Sequence, residues 1–221
     1  PEGRAPPTEA RRPLRTFQYC AACAGSVVNC AGSSRVRSAS TASALRALAD
    51  GGRSDVIFAM NNQSDKPGYG YQLRLGKTSL TEAWNGGSSQ NHFMSGQIME
   101  WFYHDLAGIQ SAQPGFKQFT IKPAIVGDLT WVKSHYDSPY GRIVSNWKRD
   151  GNKLSMDVTI PGNTTATVFV PAKDATVVTE SGKPVDQAAG VKFLRMENNA
   201  AVYAVGSGTY RFQSRLMETI K

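Results

Sequence analysis

The segment Ser79–Phe93, which reads SLTEAWNGGSSQNHF, brings together residue types that could bind and cleave a sugar. It holds a carboxylate at Glu82, an indole at Trp84, an amide at Asn91 and an imidazole at His92. A glycosidase needs a carboxylate for proton transfer, an aromatic face for the C–H surface of the sugar, and neutral polar groups for its hydroxyls. All three kinds of group occur here within eleven residues, so the segment is a candidate carbohydrate site.

Each of these residues also has an ordinary structural interpretation. Glu82 is equally a solvated or capping carboxylate in a polar loop, and Trp84 is equally a core residue. His92, which the pattern places in the first turn of an apolar helix, could be a satisfied interior histidine, and Asn91 could be a helix N-terminal residue. On the residues taken one by one, these alternatives stay open.

Helices are the predicted elements around the candidate site. A helical pattern begins near residue 43 and ends at Asp50, and Ser54 gives an N-cap signal for a second helix. The stretch 67–71 ends that helix and begins an irregular aromatic segment. A stronger helix is predicted over residues 90–107, with Gly108 as its stop and one apolar stripe: Phe93, Met94, Ile98, Trp101, Phe102 and Leu106.

Beyond Pro114 the hydrophobic period changes from 3.6 to 2, which predicts strands. Asp150-Gly151 predicts a tight hairpin turn between two of them. Seven or more short strands at this spacing are typical of an antiparallel sandwich. The predicted fold is therefore α+β, with helices and then a β-sandwich as two packed units. The predicted strand runs are 119–121, 129–132, 142–147, 154–160, 166–170, 175–179, 191–194, 201–205 and 209–212.

The run from Tyr69 to Gln110, YGYQLRLGKTSLTEAWNGGSSQNHFMSGQIMEWFYHDLAGIQ, resembles the closing part of the catalytic barrel of bacterial α-L-rhamnosidases. These are inverting glycoside hydrolases built on an (α/α)6 toroid. The runs GFKQFTIKPAIVGDLTWVKSHYDSPYGRIVSNWKRDGNKLSMDVTIPGNTTATVFVPA and VGSGTYRF resemble the C-terminal β-sandwich of the same family. The resemblance covers about residues 43–213 and does not cover residues 1–42.

The resemblance implies roles for individual residues. Glu82, in LTEAW, corresponds to the general base that activates the attacking water, and His92 to a histidine that contacts the bound sugar. Trp84 and the amide of Asn91 correspond to neighbours of the sugar pocket. The connection between Trp84 and His92 is shorter here than the loop found in many relatives, which bears on substrate preference.

The resemblance also implies a division of the chain and a set of partners. We expect residues 43–114 to be the last helices of a truncated (α/α)6 toroid, residues 115–213 the β-sandwich, and residues 214–221 a tail. The substrate would be a rhamnose-containing oligosaccharide or glycoside. Because the family's general acid precedes residue 43, the chain alone is expected to be inactive and to need the missing N-terminal part of the enzyme.

Residues 1–42 differ in composition from the rest of the chain. They hold six Arg, no Lys and all three cysteines, with no helical or strand period, and we expect an irregular or non-native segment. Cys20 and Cys23 form half of a zinc motif, but beyond Cys30 no fourth ligand follows at useful spacing. The sequence therefore indicates no metal and no cofactor.

Charge and hydropathy exclude two classes of partner. The net charge is +8, but half of the surplus lies in residues 1–42, and the remainder contains no run of Lys and Arg that would predict nucleic-acid binding. No apolar run approaches the roughly 18 residues of a membrane span.

Two alternatives to catalysis remain on the sequence alone. The β-sandwich could be a carbohydrate-binding module, with Trp131, Tyr136, Tyr140 and Trp147 as candidates, although period-2 placement predicts that Trp131 and Trp147 are core residues. It could also be a structural cap that binds nothing.

Overall fold

A computed structural model of the chain describes residues 39–65, 68–92 and 96–217. The three cysteines, the expected irregular segment up to residue 38, and Phe93 and Met94 of the predicted apolar stripe lie outside the described residues. In the described part, helices come first and strands follow from residue 109. This order is the α+β arrangement that the change of hydrophobic period predicts.

Short helices make up the first part of the structure. Helix α1 ends at Asp50, as predicted, and α2 starts at Ser54. Ser54 does not cap α2 with its side chain, because its hydroxyl accepts a hydrogen bond from the buried indole of Trp101 at 3.1 Å. The helices are α1 Ala39–Asp50, α2 Ser54–Asn61, α3 Tyr69–Arg74 and α4 Ile98–Trp101, which continues into a π-helical turn, Phe102–Leu106.

Two helix predictions around the candidate site are wrong. The region after residue 68 forms helix α3 rather than an irregular segment. In the helix predicted over residues 90–107, residues 90–92 are not helical, and the backbone N–H of His92 instead donates to the carbonyl of Leu80 at 2.8 Å. The polar residues up to His92 therefore belong to a loop that folds back on itself.

An ion-pair network fastens α1 to the segment after α4. The Arg46 guanidinium lies 3.4 Å from the Asp105 carboxylate and 3.5 Å from that of Glu100, and it also contacts Nδ1 of His104 at 3.2 Å. Asp105 is buried, so this pairing compensates for the loss of its hydration. The contact holds α1 against the π-helical turn that leads into the strands.

Eleven strands in the described residues form two sheets. One sheet has five strands in the order β1-β2-β6-β10-β9, and the other has six in the order β3-β4-β5-β11-β7-β8. Strand β2 pairs with β6 in parallel, and the other described pairings are antiparallel. The strands are β1 Ile109–Ser111, β2 Gln118–Ile121, β3 Trp131–Ser138, β4 Gly141–Asp150, β5 Lys153–Ile160, β6 Thr165–Pro171, β7 Thr179–Glu180, β8 Lys183–Pro184, β9 Val191–Glu197, β10 Ala200–Val205 and β11 Gly208–Arg215.

The strand predictions agree with these bounds in most places. They fail where strands are very short and at β3, of which the predicted run 129–132 includes only Trp131 and Val132. The hairpin turn predicted after Asp150 joins β4 to β5. The run 175–179 is mostly a 3-10 turn, Ala175–Val177, because the Asp174 carboxylate accepts the backbone N–H of Thr176 at 2.8 Å. Strands β1, β7 and β8 have two or three residues each, too few to show an alternating pattern.

Apolar side chains from both sheets form the core of the sandwich. Alternate residues of β4, β5, β6, β10 and β11 point inward, as period 2 requires. Trp147 is 2% exposed and central to this core, whereas Trp131 is only half-buried. A second cluster, Leu45, Ile57, Ile98, Trp101, Leu106 and Val126, forms the helical core.

Two buried hydrogen bonds join the helical part to the sandwich. The indole of Trp147 donates to the carbonyl of Leu106 at 2.9 Å, and the hydroxyl of Ser145 donates to the carbonyl of Ala107 at 2.6 Å. Both donors lie on β4, and both acceptors are carbonyls at the end of a helix, which lack helical partners. Side chains of the sandwich therefore cap the helical segment.

Within the described residues, no helix is long and apolar enough to cross a membrane.

We predict that Ser145→Ala lowers the free energy of unfolding by about 1–3 kcal/mol, because the buried carbonyl of Ala107 loses its donor. Urea denaturation followed by circular dichroism measures the change. Ser155→Ala on β5 is the matched control, since Ser155 lies on the outward, half-buried face between Leu154 and Met156. Equal stability of the two variants would contradict the capping role of Ser145.

A buried tyrosine in the core leaves its hydroxyl unsatisfied. Tyr203 is 1% exposed, and its hydroxyl has no hydrogen-bond partner among the residues that the structure describes. Burial, together with the negative charge of Asp174, raises the pKa of Tyr203 to about 12. By contrast, the hydroxyl of the nearby Tyr210 donates to the carbonyl of Gly206 at 3.1 Å.

We predict that Tyr203→Phe leaves the free energy of unfolding at neutral pH unchanged or raises it, whereas Tyr210→Phe lowers it by about 1 kcal/mol. The folded state holds the Tyr203 proton up to a pKa of about 12, whereas the unfolded chain releases it near pH 10. Release of the Tyr203 proton by the unfolded chain therefore lowers the free energy of unfolding as the pH rises from about 10 to about 12. Below about pH 10 both states hold the proton, and the free energy of unfolding does not change with pH through this group. Tyr203→Phe should weaken this alkaline loss in pH-dependent urea titrations, and an unchanged profile would contradict the assignment.

Candidate functional site

The candidate site is a loop that folds back on itself between α3 and α4. The backbone N–H of Glu82 donates to the carbonyl of Ser89 at 2.9 Å, and that of His92 donates to the carbonyl of Leu80 at 2.8 Å. These two bonds make residues 80–82 and 89–92 the two sides of one narrow turn, which we call the Glu82 loop (residues 79–92). These bonds set Glu82 opposite Ser89 and His92 opposite Leu80, on the two facing sides of the loop.

Polar side chains and a glycine shape the tip of the Glu82 loop. Gly86 has a φ of 80°, and a β carbon there would lie 2.2 Å from Cε of Lys77. The amide of Gln90 donates to the carbonyls of Gly86 and Ser88, both at 3.0 Å. Asn85 accepts the backbone N–H of Gly87 at 3.0 Å. The short connection after Trp84 is thus held closed by its own side chains.

Glu82 is exposed, and the loop orients its carboxylate. Its Oε2 accepts the backbone N–H of Ser89 at 3.3 Å, opposite the backbone bond between the same two residues. The neighbouring Thr81 is buried, and its hydroxyl donates to the carbonyl of Ala83 at 2.8 Å, across Glu82. A carboxylate held in this way at a solvent-exposed position can accept a proton from water.

Trp84 is half-buried and packs against α3. The centroids of the Trp84 and Tyr69 rings lie 5.2 Å apart, with the ring planes nearly perpendicular at 89°. This edge-to-face geometry is favourable for aromatic pairs and fixes the indole. Trp84 is therefore neither a fully buried core residue nor fully exposed, and its role at a sugar site stays a prediction.

His92 and Asn91 lie on the returning side of the loop. His92 is half-buried, and Asn91 is exposed with its backbone N–H 3.3 Å from the hydroxyl of Ser89. The prediction that His92 opens a helix is wrong, because its backbone N–H pairs with Leu80. The imidazole is instead presented by the loop.

Helix α3 supports the Glu82 loop, and the sequence analysis missed this. The buried amide of Gln72 donates to the carbonyl of Thr81 at 3.3 Å, one turn along from the contact of Tyr69 with Trp84. Gly70 allows α3 to pack closely, since a β carbon there would lie 2.3 Å from the carbonyl oxygen of Gln63. The spacing of Tyr69 and Gln72 by three residues is a helical signal that could have revealed this face.

A cavity of about 450 Å³ lies beside the loop, between the helices and strand β3. Its lining is mainly apolar, and residues 77–80, which lead into the loop, form part of its wall. Glu82, Trp84, Asn91 and His92 are not among the described residues that line it. The cavity therefore adjoins the first two residues of the Glu82 loop, and the candidate sugar-binding side chains lie outside its lining.

In the described ranges, no group of three or more His, Cys, Asp or Glu side chains is arranged to hold a metal ion.

Two family models match consecutive parts of the chain. Residues 31–106 match the six-hairpin glycosidase domain of bacterial α-L-rhamnosidases, and residues 108–184 match the C-terminal domain of the same enzymes. Both models describe domains of bacterial α-L-rhamnosidases, in the order that the chain presents them. The two models meet where α4 and its π-helical turn end, directly before β1. The predicted domain boundary after residue 114 stays a prediction, as does the assignment of residues 1–42.

Individual rhamnosidases are similar over the same region. An α-L-rhamnosidase of Streptomyces avermitilis is 31% identical over 179 residues, which cover 76% of this chain and 17% of the relative. The solved structure of a Streptomyces avermitilis α-L-rhamnosidase complexed with L-rhamnose matches with a TM-score of 0.69 and 29% identity, over 76% of this chain and 17% of that one. The α-L-rhamnosidase of Dictyoglumus thermophilum matches with a TM-score of 0.68 and 31% identity, over 76% and 20%. The chain thus spans about a fifth or less of the length of these rhamnosidases.

We predict that Gln72→Met loosens the Glu82 loop without unfolding the chain, because the variant keeps the side-chain volume but removes the donor to Thr81. Hydrogen–deuterium exchange of the backbone amides of Glu82 and His92 should become faster. Gln118→Met, at an exposed position of β2, is the control. Unchanged exchange in Gln72→Met would show that α3 does not support the loop.

Proposed function

We propose that this chain is the C-terminal portion of an inverting α-L-rhamnosidase and that Glu82 is its general base. The observation that carries the proposal is the Glu82 loop, in which backbone pairing joins the segments of Glu82 and His92 and the N–H of Ser89 orients the exposed Glu82 carboxylate. The loop lies in the part of the chain that matches the six-hairpin glycosidase domain.

Glu82 removes a proton from the attacking water as that water adds to the anomeric carbon. An inverting glycosidase holds its two carboxyl groups roughly 6.5 to 9.5 Å apart, which leaves room for the water between the base and the sugar. The N–H of Ser89, bound to Oε2, fixes the direction in which the carboxylate faces. Loss of the proton to Glu82 raises the nucleophilicity of the water in the transition state.

The second carboxyl group is a general acid that protonates the leaving oxygen. The acidic residues near the loop do not fit this role. Asp105 is buried and paired with Arg46, and the same guanidinium contacts Glu100. Asp65, in the exposed connection between α2 and α3, pairs with Arg74. We therefore assign the acid to other helical hairpins of the six-hairpin domain, contributed by the remainder of the enzyme.

Trp84, Asn91 and His92 bind the sugar beside Glu82. The edge-to-face contact with Tyr69 holds the Trp84 ring in a fixed orientation, which favours stacking against the C–H face of a pyranose. The side chains of His92 and Asn91, on the opposite side of the loop, supply hydrogen bonds to its hydroxyls. The substrate is a rhamnose-containing oligosaccharide or glycoside.

The apolar cavity beside the loop is the surface on which the remaining hairpins pack. Its wall includes apolar side chains of three helices, among them Phe58, Leu73 and Met99. Packing against this wall would bury apolar area and place the general acid opposite Glu82. On this proposal the chain by itself does not hydrolyse rhamnosides.

A structural role for the sandwich is the second candidate, and the hydrogen bonds from Trp147 and Ser145 favour it. Through these bonds the sandwich fixes the end of the helical segment. This role is compatible with catalysis by the helical domain.

We predict that Glu82→Gln, in the enzyme that joins this sequence to the rest of the six-hairpin domain, lowers kcat at least about a hundredfold, the scale of general base assistance. The amide keeps the shape of the side chain but cannot take the proton from water. Hydrolysis of 4-nitrophenyl α-L-rhamnoside measures the change, with the separate chain as the inactive reference.

Asp65→Asn is the matched control, because it also neutralises an exposed carboxylate, in this case one paired with Arg74. It should keep the kcat of the unaltered enzyme. A near-normal kcat for Glu82→Gln would remove Glu82 from the role of base, and turnover by the separate chain would contradict the need for an external acid.

A further inference from the structure

Three turns meet at one corner of the sandwich. The 3-10 turn Pro114–Phe116 lies beside Tyr140, since a β carbon on Gly115 would be 3.8 Å from the Tyr140 ring. The turn between β3 and β4 contacts the turn after β5, because a β carbon on Gly141 would lie 3.4 Å from the side chain of Pro161. Loops that cluster at one end of a sandwich are a common position for binding sites.

Aromatic rings cover this corner and remain accessible. Tyr136 is 39% exposed and Tyr140 is 42% exposed. The ring of Phe116 lies between the core and the surface, 4.6 Å from the Tyr136 ring and 6.3 Å from the buried ring of Phe119. Phe116, Lys117, Tyr136 and Tyr140 together form what we call the aromatic corner, and none of them is among the residues that line the cavity beside the helices.

The backbone of the aromatic corner includes a conformation that bulky residues rarely adopt. Phe116 has a φ of 64°, a value unfavourable for a bulky residue, and this conformation turns its ring toward Tyr136. In the other turn, the hydroxyl of Ser138 accepts the backbone N–H of Tyr140 at 3.2 Å and donates to the carbonyl of Gly141 at 2.8 Å. The rings are therefore preorganised, so binding would order few additional groups.

Lys117 gives the corner a positive charge, and the other nearby cation is paired with an acid. The amine of Lys117 lies 5.1 Å from the centroid of the Tyr140 ring and donates to the carbonyl of Asn163. Arg142, on the neighbouring strand, pairs with Asp137 at 2.8 Å. The corner thus presents rings, a few polar groups and the Lys117 ammonium, which lies against the Tyr140 ring and can donate to a ligand hydroxyl. Its few side chains provide too little area for a stable protein interface, which needs about 1,000 Å² or more.

We infer that the aromatic corner is an accessory saccharide-binding site, separate from the Glu82 loop. A pyranose has one face of polarised C–H bonds, which packs on the negative face of an aromatic ring, while its hydroxyls reach the phenol groups and the Lys117 amine. A 6-deoxy sugar such as rhamnose adds an apolar methyl group to this contact. The choice of a rhamnose-containing oligosaccharide as ligand rests on the proposed function. The inference that the aromatic corner stacks against a sugar does not rest on it.

Binding of methyl α-L-rhamnoside and of a rhamnose-containing oligosaccharide to the full 221-residue chain tests the inference. Saturation-transfer NMR detects the contact, and titration gives Kd. We expect Tyr136→Ala and Tyr140→Ala each to weaken binding about tenfold, and Tyr140→Phe to retain it because the ring remains. Phe193→Ala is the matched control, since Phe193 is a similarly exposed aromatic residue, at 46%, on edge strand β9.

The test separates this inference from the proposed catalysis. Binding is measured on the separate chain as the difference in Kd between the unaltered chain and the corner variants, which needs no turnover, so its result is independent of the kcat measurement. Two outcomes would overturn the inference: no binding of either probe to the unaltered chain, or equal Kd values for the unaltered chain and the two alanine variants. Thermal unfolding of each variant confirms that loss of binding is not loss of fold.

Discussion

The capping of helical carbonyls by side chains of β4 is the interaction on which the rest of the structure depends. Trp147 and Ser145 donate to the carbonyls of Leu106 and Ala107, which the end of the π-helical turn leaves without helical partners. Trp147 is at the same time a central residue of the sandwich core. The Trp147 indole therefore donates to the buried carbonyl of Leu106 in the helical part and also packs in the core of the sandwich. Through this residue the stability of each part depends on the other.

Support for the candidate site comes from the helical side of this junction. The buried Gln72 and the ring of Tyr69, both on α3, contact the Glu82 loop at Thr81 and Trp84. The loop adds its own pairing through Glu82 and Ser89. An irregular backbone can hold a fixed shape in this way because its polar groups are paired locally and with a neighbouring helix. The same loop then presents its carboxylate and imidazole from a stable base.

The sandwich was predictable from the sequence in its long strands, because apolar residues that alternate along a whole strand, as in β5 and β11, are typical of a sheet that buries one face. Short strands and the helices were predicted less well. The π-helical turn Phe102–Leu106 contacts Arg46, and His92, which the pattern places in a helix, pairs with Leu80; both partners lie distant in the sequence. Local preference also fails at Phe116, whose positive φ is set by packing.

The sequence by itself determined which chemical groups are available: a carboxylate, an indole, an amide and an imidazole within one short segment, in a context typical of rhamnosidases. It also determined the order of helices and strands, since hydrophobic period is a local property. The tertiary structure decided which groups meet. Only backbone pairing between residues 80–82 and 89–92 makes Glu82 and His92 parts of one loop, and only the junction of three turns brings Phe116 beside Tyr136. Such contacts depend on how distant segments pack, which no local pattern encodes.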